Sequence, residues 1–336
     1  MQKIKKLMLR NLLVLSCLTV FSSAFSNTNY SSLFSLMEGK EYNQVIISAD
    51  FDAFKEQKKK GGVHEARLLL RNEQGELEKM TVEISARGKY RLMNCTDMPP
   101  IRIKVPTQTL EERGFEKKYQ KFKLVTHCVE DNDQAVLKEY WAYKMYQKIS
   151  ANSYRVHLME VVYHNTASNK REKHLAFMIE DTDEMANRIG GKEKEIWGLA
   201  ANEMNEKSYQ DFILFQHLIG NPDWDIASIR NIKLIYLKGQ QKPILVPYDF
   251  DYATMVQASY IPQYGKLGSF KAQIESGMGS TAESVNEICQ KIDLLDKRSW
   301  EFESCAYLSD RSKKEMKSYL NSALNKIVRA KKTIEY

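Results

Sequence analysis

The chain has 336 residues, 43% hydrophobic and 28% charged, with a formal net charge of +7. That composition excludes a disordered or low-complexity chain, and the length suits one large domain or two lobes with separate cores. Four of the positive charges (Lys3, Lys5, Lys6 and Arg10) precede Asn11, and removing them from +7 leaves about +3. The basic balance is therefore no argument for nucleic-acid binding, and no basic stripe with interleaved aromatics accompanies it.

The first residues read as an export signal. "MQKIKKLMLRN" is positive, "LLVLSCLTVFSSAF" is apolar but too short to span a bilayer, and Ala24 and Ser26 are small at the offsets that cleavage after Ser26 requires. Residues 1–26 are thus expected to be a signal peptide, giving an exported, periplasmic or cell-envelope protein with no mature transmembrane segment. Lipid attachment at Cys17 is a competing route, ranked second because Leu15 is bulky for it, and an uncleaved N-terminal anchor is a third. Export leaves Cys95, Cys128, Cys289 and Cys305, an even count that favours disulfides in an oxidising compartment. Proximity pairs Cys95 with Cys128 and Cys289 with Cys305; four buried thiols are the alternative. No CxxC, HExxH or His ladder is present, so the sequence offers no zinc motif.

Next comes a predicted strand over 42–50 and a short helix stopped by Gly61–Gly62. Alternating segments on either side of "NEQG" (72–75) predict a β-hairpin. Strands follow over 99–105 and 121–127; in "IRIKV", Ile101, Ile103 and Val105 share one face and Arg102 and Lys104 the other. Residues 131–150 form the best helix of the first half, capped by Asp131 or Asp133, with Val136, Tyr140, Tyr143 and Tyr146 at helical spacing. Its aromatics read as core. A second hairpin spans 154–181, and 185–206 reads as a boundary loop with a short helix.

"SYQDFILFQHLIG" (208–220) is a helix stopped by Gly220, with Pro222 beyond it. His217 on it reads as a core histidine. "NIKLIYL" and "PILVPYDF" form a third hairpin around "KGQQK", and 312–332 is an amphipathic C-terminal helix. The expected domains are a β-rich N-terminal lobe over 27–180 with one long helix, and a mainly helical C-terminal lobe over 181–336.

"GNPDWD" (220–225) and "PYDFDY" (247–252) carry four aspartates in apolar and aromatic surroundings, with Asn231 between them. Unpaired carboxylates there would be costly, so a divalent cation is expected among them. A hairpin sets the start of one strand beside the end of its partner, so Asn231 and Asp249 should adjoin, with the Asp223 loop feeding into Asn231. These residue types suit phosphoryl transfer: Asp249 and Asn231 as ligands of Mg²⁺ or Mn²⁺, with Asp251 beside them, and Asp223 as base or substrate-orienting group. Lys104 is the candidate for the phosphates of ATP or another nucleotide, with Glu139 as its acidic partner; Lys123 competes for that part. Arg87 and Arg91 read as phosphate ligands or as partners of an acid, and Trp224 as a stacking surface or a core residue. Asp223 capping a turn, and Asn231 bonding to backbone, are the plainer alternatives.

"IGNPDWD", "RNIKLIY" and "VPYDFDYA", with "ARGKYR" and "DQAVLKEYWAYKMYQKI" upstream, resemble the spore-coat-protein-H (CotH-like) type of secreted atypical kinase. "RGKYRLMNCTDMPPIRIKV", "KLVTHC" and "FQHLIGNPDWDI" resemble an envelope branch of that family from Bacteroidetes-type bacteria. The resemblance covers roughly 45–264. It implies an α+β, two-lobed protein-kinase-like fold with nucleotide and metal between the lobes. Asp223 would be the catalytic aspartate, Asn231 and Asp249 the metal ligands, and a Ser or Thr of an envelope or secreted protein the acceptor. The chain departs from the family in having Lys89–Tyr90–Arg91 where a Ser-rich stretch is usual, and it has no G-x-G-x-x-G loop. Two rivals follow: an inactive kinase-fold binding or scaffold protein, and a metal-dependent phosphohydrolase.

Overall fold

A computed structural model describes residues 30–129, 133–261, 265–277, 282–296 and 299–334. The signal peptide, the Cys17 alternative and the Asp131 cap lie outside the described residues. Ten helices are described: α1 (Leu33–Gly39), α2 (Phe51–Gln57), α3 (Lys89–Asn94), α4 (Thr107–Arg113), α5 (Asp133–Ile149), α6 (Thr182–Arg188), α7 (Glu206–Ile219), α8 (Phe270–Gly277), α9 (Ala282–Asp296) and α10 (Asp310–Ile334). The strands are β1 (Gln44–Ala49), β2 (Val63–Arg71), β3 (Leu77–Ala86), β4 (Ile101–Lys104), β5 (Lys121–Val125), β6 (Val156–Asn165), β7 (Arg171–Ile179), β8 (Gly191–Glu193), β9 (Ile232–Leu237) and β10 (Ile244–Pro247).

The first seven strands close into a barrel in the order β1-β2-β3-β4-β5-β7-β6. Six of its joints are antiparallel, and directions must alternate across them. An odd number of strands then leaves β6 and β1 pointing the same way, and the closing joint is parallel, with Val45 opposite Val161 and Ile47 opposite Tyr163. Strand alternation sends one apolar set inward: Ile47, Leu68, Val82, Ile103, Phe122 and Val161 are all buried and fill the interior. Helices α1 and α2 add Phe34, Phe51 and Phe54 to the same core. Such a closed seven-stranded barrel is not the usual shape of a kinase lobe, and the expected β-rich lobe takes this form instead.

The remaining elements build a second, mainly helical core around α7, whose residues are buried almost all round. A helix apolar on every face belongs at the centre of a bundle. Asn205 caps its start by accepting from Ser208 N, and Gly220 ends it at φ 66°. The amphipathic α10 lays Met316, Leu320, Leu324 and Ile327 against this core, and β8, β9 and β10 form a small sheet beside it. Helix α5 lies within the first-half segment, yet Val136, Tyr143 and Tyr146 are buried in the second core. The segment expected as a boundary loop holds α6 and β8. No helix among the described residues is long and apolar enough to cross a membrane.

Cys95 and Cys128 form the expected disulfide, closing a separation of 33 residues. The second expected bridge does not form: Cys289 and Cys305 are thiols. Cys289 faces the helical core from α9, whereas Cys305 is half-buried after a separate turn, so nearness in sequence does not bring their sulfurs together.

Candidate active site

The Asp223 loop is shaped by its own backbone. After Gly220 the Asn221 side chain accepts from Asp223 N at 3.2 Å, and Asp225 and Arg230 pair as a two-residue ladder that folds the chain back. This return brings Asn231 onto Asp223: its Nδ2 donates to the Asp223 carbonyl at 2.9 Å and to Oδ2 at 2.8 Å. Arg230 Nε lies 3.3 Å from the other carboxylate oxygen.

Asp249 arrives from β10. Pro247 pairs with Ile232, and Tyr248 N donates to Asn231 O at 3.1 Å, so Asn231 lies opposite Tyr248, one residue before Asp249. Asn231 and Asp249 both have left-handed backbones, at φ 55° and 67°. Non-glycine residues take that conformation when their surroundings impose it. At Asp249 the imposing contacts are the backbone N–H donated to Tyr143 Oη at 2.9 Å and the buried Phe250 ring, 4.5 Å from Tyr143 and 5.1 Å from Phe215. Thr254 N and Met255 N donate to the carbonyls of Gly220 and Ile219, stitching this turn to the end of α7.

Arg91 of α3 holds the centre. Its Nε lies 2.9 Å from Asp251 Oδ2, one Nη lies 2.7 Å from Glu139 Oε2, and the same nitrogen lies 3.8 Å from Asp249 Oδ1. Tyr260 Oη also donates to Asp251, and the guanidinium lies over the Tyr260 ring. Gly88, at φ 82°, lets the chain turn from β3 into α3 and so delivers Arg91 inward. Burial pulls the Arg91 guanidinium down, but Asp251 and Glu139 outweigh it and keep its pKa well above the ordinary value. Three carboxylates, Glu139, Asp249 and Asp251, gather on the buried Arg91, and Arg87 and Lys123 act on Asp249 as well. Burial, with Asp251 and Asp249 adding to it, pushes Glu139 up to about 7 against the pull of Arg91. Glu139 Oε1 is buried with no hydrogen-bond partner among the described residues. Asp249 is likewise raised by burial and by Asp251, against Arg91, Arg87 and Lys123; Asp223 is raised by burial, with Arg230 opposing.

The sequence-predicted residues do not all converge. Lys104 and Glu139 do not pair: Lys104 points off the outer face of β4 to Glu83 at 2.8 Å, and Glu139 is taken by Arg91. Lys123, the competitor, lies at the site instead, with its Nζ 4.5 Å from the Tyr248 ring centroid and 5.4 Å from that of Tyr154. Burial, then Arg87 and Lys233, pull its pKa down to about 7. Arg87 is close enough to Lys123 and Asp249 to influence both. Trp224 packs its ring against Phe212 at 4.9 Å, as a core residue does. Asp251 is engaged by Arg91 and Tyr260. Arg91 takes the role of acid partner weighed for it; its spacing alone gave no sign that it would be buried.

Asp223, Asn231 and Asp249 offer carboxylate and amide oxygens, the donor types that Mg²⁺ or Mn²⁺ takes. No family model matches the chain, and no curated protein matches it. Among solved structures, a Helicobacter pylori proinflammatory kinase, CtkA, aligns at 12% identity and a TM-score of 0.34, over 69% of this chain and 93% of that one. A likeness of that size carries no argument about fold or chemistry, and the CotH-like resemblance rests on its quoted motifs alone.

Proposed function

We propose that the chain is a metal-dependent phosphotransferase of the atypical-kinase type, moving a phosphoryl group from a nucleotide such as ATP to a hydroxyl. The observation that supports this reading is the Asn231 amide bonded to Asp223, with Asp249 one residue beyond the Tyr248 that donates to Asn231 O, beside a cluster of Glu139, Asp249 and Asp251 around the buried Arg91. Asn231 and Asp249 would hold Mg²⁺ or Mn²⁺, which when bound supplies charge neutralisation on the phosphate oxygens. Asp223, raised by burial, accepts the acceptor's proton or orients its hydroxyl. Lys123 and Arg87 face the phosphates, in place of the Lys104 expected from sequence. Glu139, Asp251 and Arg91 position Asp249. The proposed acceptor, a Ser or Thr of an envelope protein, follows the motif resemblance, and the proposed exported location follows the signal read over residues 1–26.

Closure of the barrel favours a second reading. A closed sheet has no glycine-rich flap to fold over a nucleotide, and the β2–β3 connection is only Asn72 to Glu76. On that reading the chain binds an envelope partner without turnover. A thermal-shift scan with ATP and Mn²⁺, joined to transfer of radioactive phosphate from ATP, separates the two. Phosphotransfer expects a shift and a label that Asp223→Asn abolishes. No shift and no label would leave only the binding protein. The phosphohydrolase has less support, because its paired metals need many ligands, and the group of three His, Cys, Asp or Glu close enough to share an ion among the described residues, Asp97, His127 and His174, includes none of Asp223, Asp249 and Asp251.

A further inference from the structure

The loops joined by the Cys95–Cys128 disulfide carry a second cluster. Asp97 N and Met98 N both donate to Cys128 O, and Thr126 Oγ1 donates back to Met98 O. Cys128 is held at φ 66° by these bonds. Their effect is to fix Asp97 beside His127, with Asp97 Oδ2 2.7 Å from His127 Nε2. The fully buried His127 ring stacks on His174 of β7, with centroids 3.6 Å apart and planes 11° apart. His174 Nδ1 lies 3.1 Å from Asp133 Oδ1, and Asp133's other oxygen accepts from Leu175 N.

One donor atom from each of Asp97, His127 and His174 lies within 4.8 Å of the others. Two buried polar atoms at this place have no hydrogen-bond partner among the described residues: His127 Nδ1 and Tyr163 Oη. The Tyr163 ring lies against both imidazoles, 5.8 Å from His127 and 6.4 Å from His174. Tyr163 also lines a cavity of about 100 Å³, with Lys55, Met98 and Glu172. Buried polar atoms in native proteins are almost always satisfied, so two orphans beside a three-ligand cluster point to a missing ligand.

We propose that Asp97, His127 and His174 bind a divalent transition-metal ion, zinc being the ion this donor set suits best. Two imidazoles and one carboxylate form a three-ligand set with room for a fourth, whereas Mg²⁺ and Ca²⁺ prefer oxygen throughout. The contact from Asp133 to His174 Nδ1 is the outer partner that metal-bound histidines commonly have, and it leaves Nε2 to coordinate. Ring lone pairs lie in the ring plane, so coordination requires the imidazoles to slip out of their parallel stack and the Asp97–His127 hydrogen bond to give way. The disulfide and the loop bonds hold the backbone while those side chains turn. Lys55, 3.3 Å from Asp97 and partly exposed, swings away. The ion would brace the loop just beyond α3, the helix that carries Arg91. The proposal rests on none of the residues assigned to phosphotransfer.

The test is titration of metal-stripped protein with Zn²⁺ by calorimetry and with Co²⁺ by visible absorption. It is run above neutral pH, because a coordinating imidazole must be neutral and the hydrogen bond that His174 donates to Asp133 raises its pKa. The expected result is one Zn²⁺ per chain and an intense tetrahedral Co²⁺ spectrum. Both are lost in His174→Gln and kept in Asp249→Asn, while Asp133→Asn weakens binding about 10–100-fold. His174 is only half-buried, so His174→Gln carries the test if His127→Gln fails to fold; circular dichroism of each variant without metal establishes folding. Absence of Zn²⁺ binding in the native chain, or unchanged binding in folded His174→Gln, overturns the proposal and leaves a stacked histidine pair that only exchanges protons.

Discussion

The side-chain amide of Asn231 donates two hydrogen bonds to Asp223, one to its carbonyl and one to its carboxylate. The amide nitrogen is thereby committed to Asp223. Asn231→Asp keeps the size and replaces that donor with a charge at 2.8 Å from a carboxylate already raised by burial. Like charges repel only while both are ionised. The expected outcome is a loss of stability that is larger at pH 8 than at pH 4, read from urea unfolding at both pH values. A loss independent of pH would mean the two side chains do not touch.

Arg91 is the only basic residue ion-paired with Glu139 and Asp251 among the described residues. Arg91→Met leaves buried carboxylates uncompensated, which costs about 3–5 kcal/mol. Measured by denaturant unfolding, the loss should shrink as pH falls and the acids take up protons. Arg91→Lys should recover only part of it, because one ammonium cannot reproduce the two-sided contact of the guanidinium.

Lys123 gives a pH signature to anion binding. Its folded pKa is pulled down to about 7 from the ordinary lysine value, so the amine carries its charge below that pH and loses it above. Pyrophosphate or ATP affinity, measured by calorimetry, should fall as pH rises from 6 to 8, and Lys123→Met should flatten that profile. Lys104→Ala, at the outer face beside Glu83, should leave it unchanged.

Gly220 is needed for two reasons. Its φ of 66° is left-handed, and a Cβ built on it would lie 1.9 Å from Tyr319 Oη. Gly220→Ala should cost at least about 1–3 kcal/mol in thermal or chemical unfolding. Adding Tyr319→Phe removes the nearest atom and should restore part of the loss, though not the backbone strain.

The Cys95–Cys128 bond closes a loop of 33 residues. Loop-closure entropy then predicts that the Cys95→Ala, Cys128→Ala pair loses about 3–4 kcal/mol. Mass spectrometry after alkylation of unfolded but unreduced chain should find Cys289 and Cys305 modified and Cys95 and Cys128 unmodified. Four modified cysteines without a reductant would contradict the bridge.

The three hairpins and the helices at α2, α5, α7 and α10 were legible because each is written locally, in an alternation of two, a period near 3.6, or a stop at glycine. The β9–β10 hairpin, which sets Asn231 opposite Tyr248, was legible for the same reason. Partners that come from distant strands were not legible. Lys104 and Lys123 sit on the neighbouring strands β4 and β5 with the same chemistry, and sequence could not rank them.

Local pattern thus determined which segments are strands and helices. Only the tertiary structure decided that seven strands close through a parallel joint, that α5 buries into the helical core, that Arg91 rather than a lysine meets Glu139, and that Asp97, His127 and His174 share one place. The physical reason is common to all four. Periodicity fixes which face a side chain takes on its own element, whereas the partner across that face depends on the order in which distant elements pack, and nearby residues carry no record of it.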